Sequence, residues 1–243
     1  MAGFFRFFVL CATLLQLGCG KTNRADLLHV GLSADYPPFE FTDNGQLAGF
    51  DIDLARIIGG AIGKEVKFHD MNFSSILPSL QGNVVDMGIS TITATEERSA
   101  DYAFSDPYFF EELHLISRAK KPLDGYEDLR GRRIACQLGS TMEIWMRRAA
   151  PSSAHMVLVD SNVQAIEALK AGLVDGIVVD SFQAKAFCER NAALKHIFLD
   201  RSGSGYAVAM RKNSPYLEAV NNTIKDLRES GDLENLCKKW GLQ

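Results

Sequence analysis

The stretch Val84–Ala100, VVDMGISTITATEERSA, passes from a short apolar run through the small residues Ser90-Thr91-Ile92-Thr93 into a charged helical pattern. Val84 to Ile89 has the length and β-branched content of a buried strand, and Thr95 to Ala100 reads as a short helix. Strand, polar junction and helix form the unit of a parallel sheet covered on both faces.

The same order recurs on either side. Strands are predicted near Leu28–Leu32, Val66–Phe68, Leu113–Ser117, Arg133–Gln137, Met156–Val159, Asp175–Val179 and Tyr206–Met210. Helices are predicted over Asp51–Ile62, Ser74–Gln81, Thr141–Ala149, Val163–Ala171, Phe182–Asn191, Pro215–Glu229 and Leu233–Trp240. A charged stretch, SRAKKPLDGYEDL from Ser117 to Leu129, separates two β/α series. The expected organisation is α/β in two lobes, 27–115 plus 209–243 and 116–208, joined by two crossing strands with a cleft between them.

The 243 residues are 47% hydrophobic and 23% charged, with a formal net charge of −4, which suits a globular chain. No basic cluster with interleaved aromatics supports a nucleic-acid partner. MAGFFRFFVLCATLLQLGCG carries one charge, Arg6, before an apolar run too short to span a bilayer, and reads as a signal peptide over residues 1–18. QLGC resembles the lipobox of bacterial lipoproteins. That makes Cys19 the expected acylated residue and 19–26 a lipidated terminus and linker, with Gln16 departing from the usual aliphatic residue. Ordinary secretion with cleavage near Gly20 is the alternative. Cys136, Cys188 and Cys237 form no even framework and read as small core residues.

Ligands of open α/β sheets bind beyond the carboxyl ends of the strands. Those ends present Ser33, Ser90 to Thr93, Gly139-Ser140-Thr141 and Asp180. Thr93 with Glu96 and Ser140 with Glu143 also fit a capping box, a role compatible with anion binding at a helix start. Asp180 follows a buried run and needs a partner or a task. The five histidines have no metal-ligand spacing, and no metal or other cofactor is expected.

Taken together, YPPFEF, GFDIDLA, ILPSL, VVDMGISTITATEERSADYAFSDPYF, LRGRRIACQLGST, AGLVDGIVVDS and KKWG resemble the polar amino-acid-binding proteins that serve ABC importers. The resemblance covers nearly all of the chain after the leader. It implies a two-lobed periplasmic-binding-protein fold, each lobe a mixed, mostly parallel sheet flanked by helices, with a two-strand hinge. It also implies that Arg98 grips a ligand carboxylate with Thr93 and backbone groups near Ser90 and Thr91, while Asp180 accepts from the ligand ammonium. Gly139 to Thr141 would contact the carboxylate from the second lobe, and Tyr36 and Phe73 would sandwich the ligand side chain.

Ser33 stands where several relatives carry Asp, so Glu40 becomes the candidate anion for a cationic side chain. The wording SADYPPFEF and Gln137 before LGST are most similar to arginine-binding members. The implied function is capture of a free L-amino acid, arginine favoured, by an exported monomer that hinges shut and delivers it to an ABC permease. If Cys19 is acylated, the lipid holds the protein at the membrane. Two alternatives stay open: an enzyme of the cyclohexadienyl dehydratase kind with Glu143 as general acid, and a sensory module sharing every binding residue.

Overall fold

The computed structural model describes residues 26–201 and 203–242. The expected leader and Cys19 lie outside these residues. Strand β1 (Leu27–Leu32) is almost wholly buried and leads into a small meander of β2 (Asp35–Tyr36), β3 (Glu40–Asp43) and β4 (Gln46–Ala48). Asn44 and Gly45 turn β3 into β4 with φ of 48° and 80°, the left-handed pair a tight hairpin needs. Helix α1 (Phe50–Ile62) then begins with Asp51 and Asp53 in its first turn and stops at Gly63, φ 75°.

The first lobe continues through β5 (Glu65–Asp70), α2 (Phe73–Gln81), β6 (Met87–Gly88), α3 (Glu96–Asp101) and β7 (Tyr102–Phe104). The second holds β8 (Glu112–Arg118), β9 (Arg133–Gln137), α4 (Thr141–Arg148), β10 (His155–Val159), α5 (Asn162–Lys170), β11 (Gly176–Asp180), α6 (Ser181–Glu189) and β12 (Leu194–Arg201). The chain then returns through β13 (Ala209–Arg211), α7 (Leu217–Ser230) and α8 (Asp232–Lys239).

The first sheet has the order β5-β1-β6-β13-β7, with β5, β1 and β6 parallel and β13 antiparallel to both its neighbours. The second has the order β10-β9-β11-β8-β12, with β10, β9 and β11 parallel and β8 antiparallel to both β11 and β12. This is the expected two-lobed α/β architecture. The strand expected over Val84–Ile89 shrinks to two paired residues. The meander, β7 and β12 were not anticipated, because short pieces of mixed polarity lack a clear period.

All of β8 pairs within the second sheet, so the chain crosses before Glu112 rather than at 115/116. The two crossing segments meet where Tyr108 N donates to Tyr206 O and Tyr206 N to Phe109 O, both 2.8 Å. A Cβ on Gly205 would stand 2.3 Å from Phe109 O, so the return crossing needs glycine there. Beneath the hinge, Phe39 packs against Tyr36, Phe50, Phe109 and Tyr206 of the first lobe and crossings, and against Phe182 of the second lobe. Edge-on rings dominate this cluster, the geometry favoured by ring quadrupoles.

Candidate functional site

The carboxyl ends of both sheets face one another across a closed cleft. A chamber of about 20 Å³ is lined by Tyr36, Phe73, Thr91 and Arg98 from the first lobe and by Gln137, Ser140, Thr141 and Asn162 from the second. Beside it lies a cavity of about 480 Å³ whose lining includes Ser33, Asp35, Asp70, Asn72, Asp160 and Ser161. Three of these residues, Asp35, Asn72 and Ser161, are chain neighbours of chamber residues, so the two spaces share the segments that wall them.

Arg98 reaches this chamber from α3. Thr95, not Thr93, caps that helix by accepting from Arg98 N at 3.2 Å. Thr93 instead donates its hydroxyl to Glu111 Oε1 at 3.0 Å and offers its carbonyl to Arg98 Nη1 at 2.7 Å. Arg98 Nη2 donates to Gly139 O of the second lobe, also 2.7 Å away. Burial lowers the guanidinium to about 10, against the pull of Glu111 and Glu97, so it stays charged at neutral pH. It lies 5.9 Å from the centre of the Phe73 ring, within cation–π reach.

From the second lobe, Ser140 caps α4 by accepting from Glu143 N, 3.2 Å, as its sequence spacing predicts. Glu143 reaches back to accept from Gly139 N at 2.6 Å and also takes Arg147, so its carboxylate is committed to shaping the loop. Gly139 itself has φ 77°. Asp180 is fully buried, caps α6 through Gln183 N at 2.9 Å and accepts from Tyr206 Oη at 3.1 Å. Burial raises it to about 6, with the hydrogen bonds working the other way. Its partner Tyr206 lines the chamber, whereas Asp180, expected to meet a ligand ammonium directly, lines neither space.

Glu40, expected to meet a guanidinium in the cleft, is placed elsewhere. It is 1% exposed and accepts from Ser90 Oγ at 2.7 Å, beneath the loop that carries Thr91. The pairing Tyr36↔Glu40 puts both side chains on one face of the meander, where Tyr36 lines the chamber and Glu40 joins its buried floor. Ser33 opens onto the larger cavity, its hydroxyl donating to Asp35 at 3.1 Å. Gln137 donates to Asp160 O at 3.1 Å.

Asp35, Asp70, Asp160, Asn162, Met142 and Tyr206 are among the lining residues that were not singled out in the sequence. Asp70 ends β5 and Asp160 follows β10, so the strand-end rule that picked Asp180 applied to both. The lobes also meet where Gln183 Nε2 donates to Pro37 O at 3.2 Å.

A two-lobed α/β chain with a buried arginine, aromatic walls and a mixed-charge slot between strand ends has the build of a protein that closes on a small polar solute. The chain belongs to the bacterial extracellular solute-binding proteins, family 3, whose pattern it matches over residues 28–243. It is 28% identical over 239 residues to the arginine-binding extracellular protein ArtP of Bacillus subtilis (strain 168), covering 95% of this chain and 94% of that one. It is 30% identical over 239 residues to ABC transporter arginine-binding protein 1 of Escherichia coli (strain K12), covering 96% and 97%.

Among solved structures it superposes on a mutant of ArgBP from T. maritima with a TM-score of 0.83 at 39% identity, covering 90% of this chain and 96% of that one. An ancestral arginine-binding protein bound to arginine gives 0.82 at 36% identity, covering 88% and 98%. No helix among the described residues is long and apolar enough to cross a membrane.

Proposed function

We propose that this chain is an extracytoplasmic binding protein that closes on a free L-amino acid, arginine preferred, and delivers it unchanged to an ABC importer. The observation that carries this reading is the position of Arg98. A charged guanidinium sits between the lobes, braced by a carbonyl from each, and its residue lines the shared chamber. A ligand carboxylate fits it by parallel charge-assisted bonds. Asp180 in the second lobe supplies the opposite charge for the α-ammonium, so one zwitterion bridges both lobes and favours closure.

The side chain is read by the larger cavity. Three carboxylates, Asp35, Asp70 and Asp160, line it and take the part first given to Glu40. Tyr36 and Phe73 flank the way in, and flat faces suit a planar cation better than an ammonium. Relatives named for arginine binding agree with this preference. An ancestral relative bound to glutamine keeps a neutral polar ligand as the competing reading. Acylation at Cys19, a monomeric state and partnership with a permease complete the proposal.

A thermal-shift screen of the protein without its leader, against the proteinogenic amino acids, tests it. Ligand at about 100 times its dissociation constant adds roughly 2.7 kcal/mol of stability. Arginine should give the largest shift and be recovered intact by mass spectrometry. No shift with any amino acid, or steady conversion of the ligand, overturns the reading.

A further inference from the structure

Two carboxyl groups lie against each other under the ligand chamber. Glu40, on β3, and Asp51, in the first turn of α1, are each 1% exposed. Each has one oxygen that accepts a hydrogen bond. Glu40 Oε1 accepts from Ser90 Oγ at 2.7 Å. Asp51 Oδ2 accepts from Thr91 N at 2.8 Å and from Tyr108 Oη at 3.0 Å. The other oxygens, Glu40 Oε2 and Asp51 Oδ1, are buried with no N–H or O–H donor, and the two carboxyls are near enough for each to act on the other.

Two ionised carboxylates cannot satisfy each other, since neither has a hydrogen to give. One proton between them supplies the missing donor and removes one of two like charges from a buried site. The donors fixed by the pair belong to the loop that builds the chamber. Ser90 Oγ also accepts from Ser33 N at 3.1 Å, and Thr91 is held at φ 48°, an uncommon conformation for a β-branched residue. Its amide is turned inward to Asp51, so the loop keeps this shape only while Asp51 Oδ2 accepts.

We propose that Glu40 and Asp51 are positioning residues, a carboxyl–carboxylate pair holding a single proton that sets the Ser90–Thr91 loop for the ligand. The inference rests on the reading that this loop lines the ligand site. The charged and titratable groups facing the pair are Asp35 and Tyr108. Asp35 acts on Glu40 as a further like charge, and burial of both carboxyls pushes them in the same direction, so the proton is retained at neutral pH.

The test uses amides as fixed-proton copies. In Glu40→Gln, the new NH2 donates to Asp51 while the amide oxygen still accepts from Ser90. In Asp51→Asn, the new NH2 donates to an ionised Glu40 while the oxygen still accepts from Thr91 and Tyr108. In the double variant two NH2 groups face each other and no acceptor lies between them. Calorimetry at pH 7 should give each single variant a loss of arginine affinity no greater than about threefold, and the double variant a loss of about tenfold to a hundredfold.

Difference infrared spectra of the ligand-free proteins should show one protonated-carboxyl stretch in the wild type that each single variant lacks. This second readout needs no ligand, so it stands even if the protein binds something other than an amino acid. Additive losses in affinity, or a wild-type spectrum without the protonated band, overturn the proposal.

Discussion

Arg98 of the first lobe donates from Nη2 to the carbonyl oxygen of Gly139 in the second, at 2.7 Å. The residue proposed to read a ligand carboxylate therefore also ties the two lobes together. On that proposal closure and recognition share one guanidinium.

That relationship makes Gly139 a sensitive position. A Cβ there would lie 3.2 Å from Ser74 Cα across the cleft, and the residue's φ of 77° favours glycine. Gly139→Ala should weaken ligand binding about tenfold or more by strain of roughly 1–2 kcal/mol and a tight interlobe contact. Calorimetry measures it. An unchanged dissociation constant would mean that the lobes do not meet here in the bound state.

At Arg98 itself, replacement by alanine should cost roughly 3–5 kcal/mol of binding, because a ligand carboxylate is stranded in a closed cleft. Arg98→Lys should recover little of this, since an ammonium cannot span a carboxylate and two carbonyls in one plane. Titration of both variants checks the ranking. A near-native affinity for the lysine variant would show that charge alone is read.

Asp180 supplies the pH dependence. Its pKa, raised by burial to about 6 from 3.8, leaves it ionised at pH 7 and protonated in mild acid. Without ligand, the folded state binds the extra proton between those values, so Asp180's contribution to stability falls as pH rises from 3.8 to about 6. A bound ammonium prefers the carboxylate, which gives ligand affinity the opposite trend. Affinity should be flat above about pH 6 and fall by up to about tenfold per pH unit below it. A profile of the dissociation constant across this range decides whether Asp180 meets the ammonium.

On the proposed function the acidic slot selects the ligand side chain. Asp70→Asn keeps the acceptor for Ala34 N, now at 3.0 Å, while removing a charge, and Asp160→Asn is similarly conservative. Each should weaken arginine by about 1.5–3 kcal/mol, the range for hydrogen bonds to charged groups, and change glutamine little. Competition of the two ligands on each variant measures this. Equal losses for both would place the side chain outside the slot.

The strand–helix alternation and the two-lobed α/β class were legible in the amino-acid order, and so was a minority of the residues that line the two spaces, the carboxylates Asp35, Asp70 and Asp160 not among them. Strand ends and helix starts are local events, and small hydroxyl residues at those junctions announce themselves. Arg98, Thr91, Thr141, Tyr36 and Phe73 reach the cleft because their elements end or begin there. Direction within short elements is a different matter. Glu40 and Asp35 lie in the same stretch, SADYPPFEF, yet one is sealed against Asp51 and the other opens on the cavity.

The pairing of β2 with β3 decides between them, through a period-two alternation that a one-residue shift would reverse. Thr95 rather than Thr93 caps α3, because Thr93 has a tertiary partner in Glu111 that no local spacing reveals. The sequence by itself determined which segments form the cleft and which charges are available to it. Only the tertiary structure decided which carboxylates line the cleft, because burial, register and distant partners set the direction of a side chain.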